Sequence, residues 1–255
     1  MSLLNTINLN ISIADKQICK ALNISFEAGQ IWGLLGRNGI GKTTLLHTLC
    51  HLRADYSGQI KLNNQNIEQL KRKTIAQKIG IQLQHTEDPF PSSVFDTVLT
   101  GRHPYISNWQ WEDEDDRNKA NAALAIVEMS ELADRAVNNL SGGERQRVSL
   151  ATLITQDPEI FLLDEPNSHL DLNYQIKLLQ YLTDYAKSNN HLLIMSLHDI
   201  NLAARFCSHL LMLTGDGQSI AGRTGEVLNQ QNLTHTFKHP IHEITDGDKK
   251  YYLPS

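Results

Sequence analysis

The octet Gly36-Arg37-Asn38-Gly39-Ile40-Gly41-Lys42-Thr43 constrains this chain more than any other feature, because it joins an unbroken apolar run, Ile31–Leu35, to a segment with helical periodicity. Within 42–52, Leu45, Leu46, Leu49 and Leu52 recur at the spacing of one helix face. The predicted order is therefore buried strand, glycine-rich turn, helix. Glycines let the backbone curl until its N–H groups converge, and the helix N-terminus directs positive potential to the same point. Such a turn cradles phosphate oxygens, with Lys42 as a point charge and the Thr43 hydroxyl as a ligand for Mg²⁺. A tight turn with an incidental lysine is the bland alternative, and the flanking strand and helix disfavour it.

A second apolar run, 160–163, ends in Asp164 and Glu165, two carboxylates at the edge where open α/β sheets bind their ligands. Taken alone such a pair reads as a solvated strand end; beside a phosphate loop the expected division of labour is Asp164 toward Mg²⁺ and Glu165 toward an attacking water, as general base. Upstream, Leu140-Ser141-Gly142-Gly143-Glu144-Arg145-Gln146 precedes another apolar-periodic helix. Ser141 suits the N-cap, and the two glycines leave the helix start bare. That makes a second anion-binding helix end. Two such ends serve one nucleotide only if they come from different copies of the chain.

The remaining sequence fits an α/β protein. With 255 residues, 40% hydrophobic and 20% charged, the chain can bury a sizeable core. Residues 3–35 alternate apolar and polar positions, with turn signals at Ala14-Asp15 and Ala28-Gly29, and predict several short strands. From Ser92 to about Asn138 the pattern is helical, with an acidic stretch at 112–116 ahead of an apolar-periodic segment at 122–127. Strands at 160–163 and Leu192–Ser196 then alternate with helices near 171–187 and 199–207. A hairpin is expected around the Asp246-Gly247-Asp248 turn. No apolar run approaches the roughly 20 residues of a membrane span. The first ten residues lack the basic and apolar regions of a secretory signal, so the chain is expected to stay in the compartment that made it. Cys19, Cys50 and Cys207 are scattered and read as small core hydrophobes in a reducing cytosol. A formal charge of -5 with no basic patch disfavours nucleic acid as a partner.

The phosphate loop, the Leu-Ser-Gly-Gly-Glu-Arg-Gln segment, the Asp-Glu strand end and a later histidine, His198, occur in the order found in the ABC ATPases. The chain resembles that family over nearly its whole length. The resemblance implies one domain over 1–255: a P-loop NTPase core of mixed sheet and flanking helices (about 1–90 and 157–238), an N-terminal antiparallel β subdomain, a helical insertion (about 91–156) and a C-terminal hairpin (about 239–255). It also implies a head-to-tail homodimer that encloses ATP and Mg²⁺ between the loop of one copy, Gly36 to Thr44, and Ser141, Gly142, Gly143 and Gln146 of the other. Thr43, Gln84 and Asp164 would meet the metal, and Glu165, His198 and Gln84 would serve catalysis. Gln82 is a rival for the place of Gln84. Asp171 matches the loop at the dimer seam.

Two departures stand out. Ile13 occupies the place where many members stack an aromatic residue on adenine, so an apolar base contact is expected. Arg37 replaces a frequent proline and is expected to be solvated. With no transmembrane segment of its own, the chain is expected at the cytoplasmic face of the membrane. There it would pair with permease subunits and, indirectly, with a periplasmic or extracellular substrate-binding protein. The segments 101–105 and 198–205 resemble the importer branch for iron-siderophore, haem or cobalamin. The competing class is a non-transport ABC ATPase acting on nucleic acid or ribosomes. His235 and His239 are four apart, as on one helix face, and with His242 invite a metal reading, but Pro240 interrupts them and a polar surface cluster is preferred.

Overall fold

The computed structural model describes residues 2–14, 16–83, 92–107, 111–168, 170–247 and 249–255. The strands expected over 3–35 are present and divide where the turn signals put the breaks, but β1 (Ser2–Ile13) and β2 (Lys16–Glu27) are longer than expected, twelve residues each, and form one antiparallel pair. Its register shifts repeatedly, and Asn8 (φ 48°) and Ala21 (φ 49°) adopt left-handed conformations. Bulges of this kind break the two-residue alternation without ending the strand. β3 (Ile31–Leu35), buried at all five positions, leaves this pair for the central sheet. The chain continues through α1 (Lys42–Leu49), β4 (Ser57–Leu62), β5 (Gln65–Asn66), α2 (Arg72–Lys78) and β6 (Ile79–Gln82). The antiparallel sheet has the order β2-β1-β4-β5.

The helix predicted over 42–52 stops at Leu49. His51 is left-handed (φ 57°), its N–H donates to the Thr48 carbonyl at 3.0 Å, and the Leu52 N–H donates to the His47 carbonyl at 2.9 Å. This is a Schellman end with histidine in the place usually held by glycine. Leu52 consequently lies past the helix and is 54% exposed instead of facing the core.

The helical insertion follows as α3 (Val94–Leu99), α4 (Glu114–Ile126) and α5 (Gly142–Gln156). The acidic stretch proves to be a helix start. Asp113 caps α4 by accepting the Asp116 N–H at 2.9 Å, and the first-turn carboxylates sit at the positive end of the helix. After α3 a short 3-10 turn, Thr100–Arg102, presses onto α5. A Cβ at Gly101 would lie 2.3 Å from the Thr152 carbonyl. Arg102 is buried, with Nε donating to Asp116 Oδ1 at 2.7 Å and Nη1 to the Thr155 carbonyl at 3.2 Å. A charge that sequence alone would place in solvent thus ties α4 to α5 from inside.

The second half runs β7 (Ile160–Asp164), α6 (Leu172–Ser188), β8 (Leu192–Ser196), α7 (Ile200–Phe206), β9 (His209–Leu213), β10 (Ser219–Arg223), α8 (Thr224–Val227), α9 (Gln230–Phe237) and the hairpin β11 (Ile241–Asp246) and β12 (Lys249–Pro254). The central sheet has the order β10-β9-β3-β8-β7-β6 and is parallel except for β10. β3, β7 and β8 are buried at every position, as strands covered on both faces must be. Ser196 at the end of β8 is in register with both Leu34 and Asp164, so three strands deliver their carboxyl ends to one place.

α9 ends at Phe237 and Lys238 turns left-handed (φ 54°), so His239 and His242 do not share its face with His235. His235 Nε2 stands 3.8 Å from Asp216 Oδ2, and His239 Nε2 lies 3.2 Å from the Ser255 carbonyl. The three cysteines are buried and form no disulfide. Desolvation pushes the Cys207 thiol up to about 12 and those of Cys19 and Cys50 to about 11, leaving them unreactive at neutral pH.

Candidate active site

β3 delivers the chain into the glycine-rich loop, and Gly41 starts α1 with φ 119°. A Cβ there would lie 2.6 Å from Ile18 Cγ2, so the turn requires glycine on both conformational and steric grounds. Residues 38–44, Ile13 and Lys16 of the first hairpin, Ile18, Glu165 and His198 line one cavity of about 560 Å³. Gly36 and Arg37 do not line it. Their carbonyls instead accept from Lys42 Nζ, at 2.9 and 3.4 Å. Lys42 is 5% exposed. Burial holds its ammonium below the ordinary lysine range, and the carboxylates of Glu165 and Asp164 pull the other way.

Thr43 Oγ1 donates to Asp164 Oδ2 at 2.6 Å, across the junction of α1 and β7. Asp164 is fully buried, and its other oxygen accepts from Ser196 Oγ at 2.6 Å. Thr43 and Asp164 thereby juxtapose two hard oxygen donors of the type Mg²⁺ prefers.

Glu165 departs from the strand with φ 52°, a left-handed conformation that costs a non-glycine residue about 1–3 kcal/mol. The surroundings enforce it. The Glu165 N–H donates to Ser196 Oγ at 2.8 Å, while its carbonyl accepts from the Ser168 N–H at 3.1 Å, Ser168 Oγ at 2.9 Å and Gln146 Nε2 at 3.2 Å. This kink separates the two adjacent carboxylates. Asp164 stays inside the sheet end, whereas Glu165 Oε1 meets His198 Nε2 at 2.6 Å beside the cavity.

Ser196 touches both Asp164 and Glu165, yet sequence reading passed over it. A single hydroxyl closing the apolar run 192–195 was the available signal. Ser196→Ala is expected to lower the unfolding free energy by about 1–3 kcal/mol, since it strips a partner from a buried carboxylate. Turnover should fall about tenfold as Asp164 and Glu165 lose their shared anchor, a change to be read by denaturant unfolding and steady-state hydrolysis. Lys16 was also missed; its Nζ donates to the Gly39 carbonyl from the cavity rim.

The second predicted anion site stands apart. Ser141 caps α5 in a capping box: its Oγ accepts the Glu144 N–H at 3.3 Å and donates to Glu144 Oε2 at 2.7 Å. Neither it nor Gly142, Gly143 or Gln146 lines the cavity, and a Cβ at Gly142 would meet nothing within 4 Å. Gln146 turns away from Ser141 into the chain, donating to the Glu165 and Pro166 carbonyls at 3.2 and 3.3 Å. Asp171 is exposed and caps α6 through the Tyr174 N–H at 2.9 Å. Ile13 lies at the cavity rim, 41% exposed, and no Phe, Tyr or Trp lines the cavity among the described residues. Arg37 is exposed. Gln84 lies outside the described residues, while its rival Gln82 is 1% exposed and donates to the Gln146 carbonyl at 3.3 Å.

The stretch from β2 through the loop, the insertion and β7 coincides with a known family. The model for the family described as ABC transporter matches residues 19–168, more than half of the chain. This chain belongs to the ABC transporter family. Among its relatives, the iron(3+)-hydroxamate import ATP-binding protein of Bacillus subtilis is 35% identical over 96% of this ABC protein and 91% of the relative. The petrobactin import ATP-binding protein of Bacillus anthracis is 35% identical over 95% and 89%. The ferric enterobactin transport ATP-binding protein of Escherichia coli is also 35% identical, over 90% and 84%. Among solved structures, a chain of a transporter described as metal-chelate type, in an inward-facing conformation, superposes with a TM-score of 0.86 at 29% identity, covering 100% of this chain and 98% of that one. As an ABC ATPase, the chain binds and hydrolyses ATP. Among the described residues no helix is long and apolar enough to cross a membrane.

Proposed function

We propose that two copies of this chain close head to tail on two ATP molecules and use their hydrolysis to drive a membrane importer for an iron chelate. The observation that carries the dimer is the separation just described: a cavity built by loop, strand ends and first hairpin, and a bare helix start elsewhere with open space over Gly142.

In this reading Lys42 leaves the Gly36 and Arg37 carbonyls to neutralise phosphate oxygens, and the N–H groups of 38–44 complete the cradle. Thr43 and Asp164 would hold Mg²⁺, with Gln84 assigned to the same metal. That ion would supply positive charge to offset the negative charge that develops on phosphoryl transfer. Glu165 orients and deprotonates the water, and His198 fixes Glu165 and contacts the γ-phosphate. Ile13 gives the base an apolar contact. Ser141, Gly142 and Gly143 cover the nucleotide of the other copy, whereas Gln146 serves its own chain by holding the Glu165 carbonyl. Asp171 lies along the seam. The whole chain is assigned to a single cassette, with its core at about 1–90 and 157–238, its insertion at about 91–156 and its hairpin at about 239–255.

The importer reading rests on the relatives, whose names specify siderophore, petrobactin, hydroxamate and enterobactin transport. Permease subunits would dock near Gln84 and the helical insertion at the cytoplasmic face, with a substrate-binding protein on the opposite side. The test is ATPase stimulation in vesicles that contain this chain and the permease subunits that co-purify with it. Binding protein loaded with a ferric hydroxamate or catecholate should raise turnover. Stimulation by cobalamin and not by any ferric chelate would overturn the substrate class.

A further inference from the structure

His198 is held on one side by Leu197, whose N–H donates to the Leu34 carbonyl at 3.1 Å, and on the other by α7, which begins two residues later. α7 has seven residues, too few to persist without support. Asp199 caps it, accepting from the N–H groups of Asn201 and Leu202 at 2.7 and 3.0 Å, and Leu202, Ala203 and Phe206 bury its inner face. Its outer side meets the C-terminal hairpin at one polar contact. The Asn201 side chain donates to the Tyr252 carbonyl at 3.2 Å and accepts the Tyr252 N–H at 2.9 Å, so an amide side chain mimics a neighbouring strand. Tyr252 is itself pinned: its side chain is buried, and its hydroxyl donates to the Leu228 carbonyl at 3.0 Å. Among the described residues no other residue of α7 hydrogen-bonds the hairpin. Beside the contact, α7, residues 224–228 and β12 enclose a groove of about 800 Å³ instead of a packed seam.

We propose that the C-terminal hairpin is a brace for the reaction centre: Asn201, locked to the backbone of Tyr252, fixes α7 and thereby the place of the His198 imidazole against Glu165. Asn201 touches no reacting atom and is a positioning residue. The inference rests on the role given to His198 above. A side chain that must meet a carboxylate at 2.6 Å tolerates little drift, since a displacement of about 1 Å at a reacting group can cost about a hundredfold in rate.

The test is steady-state ATP hydrolysis by the full chain with Asn201→Ala, His198→Ala, the double variant and Tyr252→Phe. Asn201→Ala should lower kcat about tenfold and leave KM for ATP within about twofold. That loss should vanish in the His198→Ala background, because the brace acts only through the imidazole. Tyr252→Phe keeps the pairing with Asn201 and the buried ring but loses the bond to Leu228, so its kcat should fall less than that of Asn201→Ala, with KM held. Should Asn201→Ala not fold, Asn201→Asp keeps the acceptor for the Tyr252 N–H while losing the donor, and its kcat should be lowered with KM held. Unchanged kcat in the position-201 variant, or an equal loss in both backgrounds, overturns the brace. Parental turnover in His198→Ala would instead remove the role of His198, and the brace with it.

Discussion

Glu165→Gln is expected to stop turnover by about a thousandfold while ATP still binds, because it removes the carboxylate that the kink of β7 places at the cavity wall. The substitution is nearly isosteric and keeps an oxygen that can accept from His198. The backbone bonds that hold position 165 in its left-handed conformation come from Ser196, Ser168 and Gln146 and are independent of the side chain. The phosphate cradle and Lys42 are untouched. ATP-bound dimers should therefore accumulate, visible as a shift in size-exclusion elution that needs ATP and Mg²⁺. Normal hydrolysis by this variant would strike Glu165 from the mechanism and leave the water without a base.

Gly142→Asp is expected to abolish assembly with the fold intact. Within its own chain a side chain at 142 meets nothing within 4 Å, and a carboxylate in the first turn of α5 favours the helix. Thermal unfolding should be unchanged or slightly raised, and ATP should bind the isolated chain as before. Across the proposed seam the same carboxylate faces a triphosphate, and two anions enclosed at low dielectric repel strongly. Hydrolysis should drop at least about a hundredfold, in line with loss of an anion-stabilising site. Mixing this variant with Lys42→Ala should restore measurable turnover, since each mixed dimer holds one composite site with an intact loop and an intact cap. Lost thermal stability in Gly142→Asp, or no recovery on mixing, would show that position 142 has another duty.

Sequence disclosed those features in which local pattern and global role coincide. The loop at 36–43, the strand end at Asp164 and the cap at Ser141 are each written in consecutive residues, and the structure puts β3, α1, β7 and α5 around them. What escaped was decided by tertiary contacts. β1 and β2 looked shorter than they are because their bulges reset the alternation, and α1 looked longer because histidine ends it in place of glycine. Nothing local reveals that Arg102 and Asp116 meet inside the insertion. Gln146 could have been read better: Leu150 and Leu153, four and seven residues on, are buried, which puts the glutamine on the inner face of α5. Ser196 carries too short a signal for any periodicity, and only the register with Asp164 gives it meaning.

The left-handed backbone at Glu165 sets a trap for anyone seeking a sturdier version of this protein. Glycine at 165 would relieve about 1 kcal/mol of conformational penalty, so selection for heat resistance alone would reward a change that, given the role proposed for Glu165, silences hydrolysis. Melting temperature and power output are opposed at this residue, and an engineer must screen for both at once.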